Sequence, residues 1–454
     1  MNSKKPRATF SGSVGFVISA AASAIGLGNI WRFPYLAAKY GGGIFLIIYI
    51  ILALTLGFTL MTTEIAIGRN TRLSVIGAYR KLNEKWAFLG VLSSVVPIVI
   101  MCYYCVIGGW VLKYAVVFLS GNGARAASDF YFSEFISGVG QPLSYWLVFT
   151  VVSFALVATG LEKGIEGVSK ILMPALGLLL LLVTAYSLTL PGAMGGLKYY
   201  LYPDFSKLSG GAVLGAMGQM FYSMSLAMGI MVTYGSYMKK EENIEKAVKR
   251  IEIFDTAAAF LAGMMIVPAV FVFSGGDESA MQAGPGLMFV TLPKLFVSMG
   301  RASGFIGFAF FLLVLFAAIT SYMSVIEAVV SVFQDRLHVG RRRACLIAFA
   351  IVAALGGVVS LGFGPLSGVS AGGMSMLDML DFFSNSVIMP IVALCTCVFI
   401  GFALSPDFIV DEVKKSSPFG REKIYRALIK YVAPLAMLAI LISSVLNGLG
   451  IITI

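Results

Sequence analysis

Residues 24–34 read AIGLGNIWRFP, which sets two glycines, an asparagine, an arginine and a proline inside an apolar run. A second stretch, GQMFYSMSLAMGIMVTYGSYM (218–238), has weak helix-forming character around Ser225 to Gly229. A helix opened at such points frees carbonyl oxygens that can hold a hard cation and N–H groups that can hold an anion. In a bilayer those groups are costly unless they line a cavity or are covered by protein. The alternative is a stripe of small residues for helix packing. Interruptions at corresponding places in two halves of a chain favour a binding site for a transported solute.

The elements that must position these stretches are membrane helices. The 454-residue chain is 59% hydrophobic and 12% charged, with a mean hydropathy of +0.91; soluble domains carry roughly 25% charged residues. Runs such as ILMPALGLLLLLVTAYSLTL (171–190) reach the roughly 20 residues that cross a bilayer as helix. They lack the alternation of an outer-membrane barrel. The pattern predicts eleven spans, at 13–38, 43–68, 88–119, 144–161, 168–190, 212–236, 248–274, 303–334, 344–363, 380–404 and 428–452.

The net charge of +11 is a topology signal rather than a nucleic-acid footprint, because the basic residues cluster in alternate loops. The clusters are Lys4, Lys5 and Arg7; Arg69 to Lys85; Lys239 to Arg250; Arg341 to Arg343; and Lys414 to Arg426. Those loops and the N-terminus are expected in the cytoplasm of a cell-membrane protein. An odd number of spans then sets the C-terminus outside.

Five cysteines (Cys102, Cys105, Cys345, Cys395, Cys397) all fall in apolar spans, which argues against a disulfide framework. Cys395 and Cys397 read as packing residues rather than a soft-metal site, with no histidine or acid beside them. His338, the only histidine, lies in the loop DRLHVGRRR. The first span lacks the short core and cleavage site of a signal peptide.

Several stretches in order carry a resemblance: AIGLGNIWRFPYLAAKYGGGIF (24–45), EIAIGR (64–69), GIEGVSKILMP (164–174), GQMFYSMSLAMG (218–229), GPGLMFVTLP (284–293) and AAITSYMSVIE (317–327). With them the chain resembles the prokaryotic branch of the neurotransmitter:sodium symporter family, over essentially every span. The resemblance implies an all-α integral membrane fold, a single transporter domain over 1–454. It comprises two inverted five-helix repeats (13–190 and 212–404) with helices 1 and 6 broken, and a peripheral eleventh helix (428–452). The family's usual twelfth helix is missing by Ile454, which is expected to leave the transport core intact.

The resemblance also implies a site. One sodium ion would be held by the Ala24 carbonyl, Asn29, Ser223, Asp255 and the substrate's own carboxylate. A second would take the carbonyls of Ala22, Ile25 and Ala317 with the hydroxyls of Thr320 and Ser321; taken alone, those two could be ordinary helix-packing hydroxyls. Around the substrate would stand Ser23, Ala24, Leu27, Gly28, Ile100, Tyr104, Tyr222, Ser223, Ser225, Met228, Ser321 and Val325. The Leu27 and Gly28 amides at a half-helix start suit a carboxylate, and Tyr104 would add a hydroxyl. Monoamine members of the family carry an aspartate at the position of Gly26, so glycine there argues for an amino acid. The mainly apolar remainder, with an adaptable methionine, favours a hydrophobic or aromatic one.

Chloride-dependent relatives have asparagine where this chain has Asp255, so its carboxylate is expected to stand in for chloride and to be able to take a proton on the return step. Its sequence distance from Arg250 also permits a plain helix-end aspartate. The outer gate would pair Arg32 with Asp381, and the inner gate Arg7 with Asp335 near Tyr237, though Arg7 and Asp335 also read as solvated loop charges. Glu64 and Glu327 are expected to stabilise packing through hydrogen bonds, and Asp378 to be a rim charge. No HExxH and no nucleophile–base pair suggests an enzyme, no repeated filter suggests a channel, and no Walker motif suggests nucleotide use. A proton-coupled amino-acid transporter of the same fold remains the alternative. The expected partners are the substrate and the bilayer, with neither nucleic acid nor an obligate protein partner.

Overall fold

The computed structural model describes residues 7–275, 285–370 and 373–448. Lys4, Lys5, Gly284 and the end of the last expected span (449–452) lie outside the described residues. Helices dominate: α1 (Ser13–Ala24), α2 (Gly28–Lys39), α3 (Gly43–Thr71), α4 (Glu84–Leu119), α5 (Gly140–Ala158) and α6 (Leu161–Leu188). After these come α7 (Gly210–Ser223) and α8 (Ile230–Tyr237), then α9 (Ile244–Phe273), the short α10 (Leu287–Ser298), α11 (Ser303–Leu337), α12 (Arg341–Leu361), α13 (Met376–Leu404) and α14 (Glu422–Asn447).

Among the described residues nine helices are long and apolar enough to cross a membrane, and α1 with α2 makes a tenth span bent by 54°. The expected sixth span is neither continuous nor simply bent. It is split into α7 and α8 by six non-helical residues, 224–229.

The interior is organised around α11, which packs along α4 and also touches α1, α5, α6, α8 and α12. Aromatic packing closes one end: Phe289 of α10 is fully buried among Trp110, Tyr114, Phe132 and Phe311, and its carbonyl accepts the Tyr114 hydroxyl at 2.9 Å. The other end is closed by ion pairs. Arg69, fully buried at the end of α3, meets Glu412 at 2.8 Å and donates to the carbonyl of Glu242 at 2.7 Å.

Two expectations about charged residues change. Helix α9 starts at Ile244, so Lys246, Lys249 and Arg250 belong to its first turns rather than to a loop. Asp255 is then eleven residues into the helix, roughly 16 Å along its axis, and is fully buried; it is no helix-end aspartate. Arg341 opens α12 and bonds back to Glu327 through Nη1 and Nη2, at 3.0 and 2.5 Å. Glu327 is therefore half of an ion pair and not only a packing hydrogen-bond acceptor.

Candidate functional site

At the first break Ile25 leaves helical geometry, with ψ 90°. A continuous helix would give the Gly26 N–H to the Ala22 carbonyl; here it donates to Asn29 Oδ1 at 3.3 Å. That exchange frees the Ala22 carbonyl from its ladder bond. At the second break Ser225 and Ala227 take left-handed backbone angles, φ 53° and 59°, a conformation that costs about 1–2 kcal/mol per non-glycine residue. Side chains hold it there. The Ala227 N–H donates to Glu64 Oε1 at 2.6 Å, and Ser225 Oγ donates to the Ser23 carbonyl at 3.1 Å. The two breaks are thus tied to each other and to α3.

One cavity lies between them. All twelve residues expected at the substrate line it, together with Gly26, Asn29 and Ile230. Its wall at the break is polar main chain, while Ile100, Met228, Ile230 and Val325 make an apolar remainder. The Tyr104 hydroxyl is buried without a hydrogen-bond partner, its ring stacked on Tyr322 at 5.8 Å with the planes 2° apart. A Cβ added at Gly26 would stand 3.0 Å from Ser321 Oγ and 3.4 Å from the Tyr104 hydroxyl. A side chain at position 26 would therefore occupy the space in front of the unpaired hydroxyl.

Beside the cavity Asn29, Ser223 and Asp255 converge. Asn29 Nδ2 and Ser223 Oγ donate to Asp255 Oδ1 at 2.8 and 2.7 Å, and Asn29 Oδ1 lies 3.2 Å from Ser223 Oγ. Tyr49 of α3, which the sequence did not single out, donates to Asp255 Oδ2 at 2.9 Å. Asn29 Oδ1, Ser223 Oγ, Tyr49 Oη and the Asp255 carboxyl group bring oxygen atoms together, a set suited to a hard cation. The second expected group is spread over α1 and α11, which pack together. Ser321 Oγ crosses to the Ser23 carbonyl at 3.1 Å. Thr320 Oγ1 instead donates within its own helix, to the Phe316 carbonyl at 3.0 Å. Ala22, Ala317 and Ile25 are buried.

The two expected gates differ. Arg7 Nη1 meets Asp335 at 2.8 Å, its Nε and Nη2 donate to Ser236 and Ser331, both at 2.8 Å, and its guanidinium lies 5.0 Å from the centre of the Tyr237 ring. Asp335 also accepts the Ser74 N–H at 2.6 Å. These are not solvated loop charges. The direct Arg32–Asp381 pair is not made. Asp381 accepts from Tyr103 at 2.9 Å and Asn385 at 2.6 Å, while Arg32 lies 5.7 Å from the centre of the Tyr222 ring. Both bonds to Asp381 fall on Oδ1 and come from neighbours that spacing could not reveal. Asp378 stays at the rim, bonded to Ser375.

Sequence reasoning missed Tyr49, Gln219, Tyr103 and Asn385. Gln219 Nε2 donates to the Gly28 carbonyl at 3.0 Å. A polar residue inside an apolar span was the available signal for Gln219 and Asn385. The tyrosines gave none, since tyrosine is common in such spans.

Comparison with known proteins agrees with this architecture. The chain matches the sodium:neurotransmitter symporter family over residues 7–134 and 124–450. It is 34% identical to the sodium-dependent transporter YhdH of Bacillus subtilis, over the whole of both chains. It is 28% identical to the human sodium- and chloride-dependent taurine transporter, over 90% of this chain and 73% of that one. The crystal structure of MhsT in complex with L-phenylalanine superposes with a TM-score of 0.87 at 35% identity, covering 97% of this chain and all of that one. These relatives are transporters rather than enzymes, and this multi-pass membrane chain belongs to the sodium:neurotransmitter symporter family.

Proposed function

We propose that this symporter imports a hydrophobic or aromatic amino acid by alternating access, driven by two sodium ions and independent of chloride. One observation carries the reading: the Tyr104 hydroxyl is buried and unpaired beside Gly26, at the polar end of a cavity whose remainder is apolar. A carboxylate placed there accepts from Tyr104 and from the N–H groups at the start of α2, where the helix dipole favours an anion. It also completes the oxygen set of Asn29, Ser223 and Asp255 around one sodium, so that substrate and ion bind together. The freed Ala22 carbonyl, with Ile25, Ala317, Thr320 and Ser321, serves the second ion. The L-phenylalanine of the MhsT complex supports an apolar amino acid.

The fixed carboxylate of Asp255 supports chloride independence, in contrast to the taurine transporters named as chloride-dependent. A tenfold sodium gradient supplies about 1.4 kcal/mol per ion, and 100 mV adds about 2.3 kcal/mol per charge. Two ions then supply roughly 7 kcal/mol, enough to concentrate a solute about 10⁵-fold in the ideal limit. In this reading the two five-helix repeats rock about the fixed site with the N-terminus in the cytoplasm. Arg7–Asp335 closes the inner door, and Arg32 meets Asp381 when the outer door shuts.

The test is uptake into proteoliposomes of tritiated leucine and tryptophan, with unlabelled amino acids as competitors, under inward sodium, potassium or proton gradients. Uptake with sodium alone, blocked best by one apolar amino acid, is expected. Uptake that follows a proton gradient without sodium overturns the ion assignment.

A further inference from the structure

The inner end of α1 is held at a second place that the gate pair does not touch. Glu166, in the wide turn Leu161–Glu166 that opens α6, is 1% exposed. Its Oε2 accepts the Ser11 N–H at 2.9 Å, and its Oε1 accepts the Ser11 hydroxyl. Lys170, one turn on, meets Oε1 at 2.6 Å. Lys239, just beyond α8, donates to the Ser11 carbonyl at 2.9 Å. Ser11 is therefore gripped by two segments far apart in the chain, the start of α6 and the residue just beyond α8.

The placement fits an anion. Helix α1 has no side-chain cap of its own, since Gly12 stands at its N-cap. The Glu166 carboxylate lies so close to Gly15 that a Cβ there would strike it. A negative group at the first turn of a helix is favoured by the dipole, and Lys170 offsets the cost of burying it. Along α6, Pro174 lacks an N–H, so the ladder bond to the Lys170 carbonyl is missing. The segment that carries Glu166 and Lys170 is thereby joined to the rest of α6 by a weakened point.

We infer that Ser11, Glu166 and Lys170 form a second inner latch, which couples the base of α6 to the start of α1 and must release for the cytoplasmic side to open. Glu166 is a positioning residue here, touching neither ion nor substrate. This rests on the proposed alternating access driven by sodium. Arg7 holds the chain to α8 and α11, whereas Glu166 holds it to α6, so loss of either leaves the other in place.

The test compares wild type with Glu166→Gln and Ser11→Ala. An amide at 166 sets a donor against the Ser11 N–H or Lys170, and Ser11→Ala removes the two bonds of the hydroxyl, to Glu166 and from Lys170, without altering the carboxylate. Hydrogen exchange of residues 7–24 is measured in detergent with sodium and with potassium. Sodium is expected to slow exchange in wild type. A hydrogen bond to a charged group is worth enough to change an opening equilibrium about tenfold or more, so Glu166→Gln should raise exchange in sodium by about that factor. Half-saturating sodium for uptake should rise severalfold with maximal uptake retained, because the sodium-binding state is less populated. Reduced maximal uptake at unchanged half-saturating sodium marks a merely structural role and overturns the latch. If Glu166→Gln does not fold, Ser11→Ala decides: a smaller shift in the same two quantities supports the latch, and wild-type behaviour overturns it. Wild type that shows no sodium-dependent protection contradicts the alternating-access reading itself, which separates the two failures.

Discussion

Glu64 Oε1 accepts the main-chain N–H of Ala227 at 2.6 Å, so a carboxyl group on α3 secures the break between α7 and α8. Ala227 sits there in a left-handed conformation. Replacing Glu64 with Ala strands that N–H in the interior, which should cost roughly 1–3 kcal/mol and lower the unfolding temperature in detergent. Ala227→Gly should do the reverse, adding up to about 1 kcal/mol by removing the Cβ penalty. Equal unfolding temperatures for wild type and both variants would show that the break is held by something else.

The Tyr104 hydroxyl bears on the substrate. Tyr104→Phe keeps the ring stacked on Tyr322 and deletes only the unpaired oxygen. Loss of a hydrogen bond to a carboxylate should raise the half-saturating substrate concentration by about tenfold or more. Unchanged substrate affinity would leave the hydroxyl without the assigned partner.

Chloride is tested at Asp255. Asn29 and Ser223 donate to one oxygen and Tyr49 to the other; an amide oxygen keeps the first two bonds and the Tyr49 hydroxyl can accept from the amide NH2, so Asp255→Asn should fold. Wild-type uptake is expected to be indifferent to replacement of chloride by gluconate, and the variant's uptake to require chloride. A variant that stays sodium-driven in gluconate contradicts the charge-replacement idea.

Stability at the Arg69 end of the helices should depend on one buried ion pair. Arg69 and Glu412 are 0% and 3% exposed, and removing one partner of such a pair typically costs about 3–5 kcal/mol. Arg69→Ala should therefore reduce the folded yield sharply, read as a loss of the monodisperse peak in size exclusion. Arg426, paired at the surface with Asp407, is the control: Arg426→Ala should change stability by no more than about 1 kcal/mol.

Much of this protein is written locally. Apolar runs longer than a bilayer is thick leave few choices but helix, so the spans can be read by eye. Gly26, Gly28 and the weak helix formers around Ser225 mark where two of them open, because propensity acts over a few residues. The family resemblance names a set of residues that are far apart in the chain, and the structure gathers those expected at the substrate around one cavity. That depends on packing. What α3 contributes, Glu64 to the Ala227 N–H and Tyr49 to Asp255, is invisible in spacing, since a hydrogen bond between helices depends on their rotation and depth. The same reason separates the two expected gate pairs: Arg7 finds Asp335, while Asp381 accepts from Tyr103 and Asn385. Sequence alone determined that the chain crosses a membrane on helices and where those helices break. Tertiary structure decided which side chains hold the breaks open and which charges meet, because in a low-dielectric interior each polar atom must take whatever partner lies within about 3 Å of it.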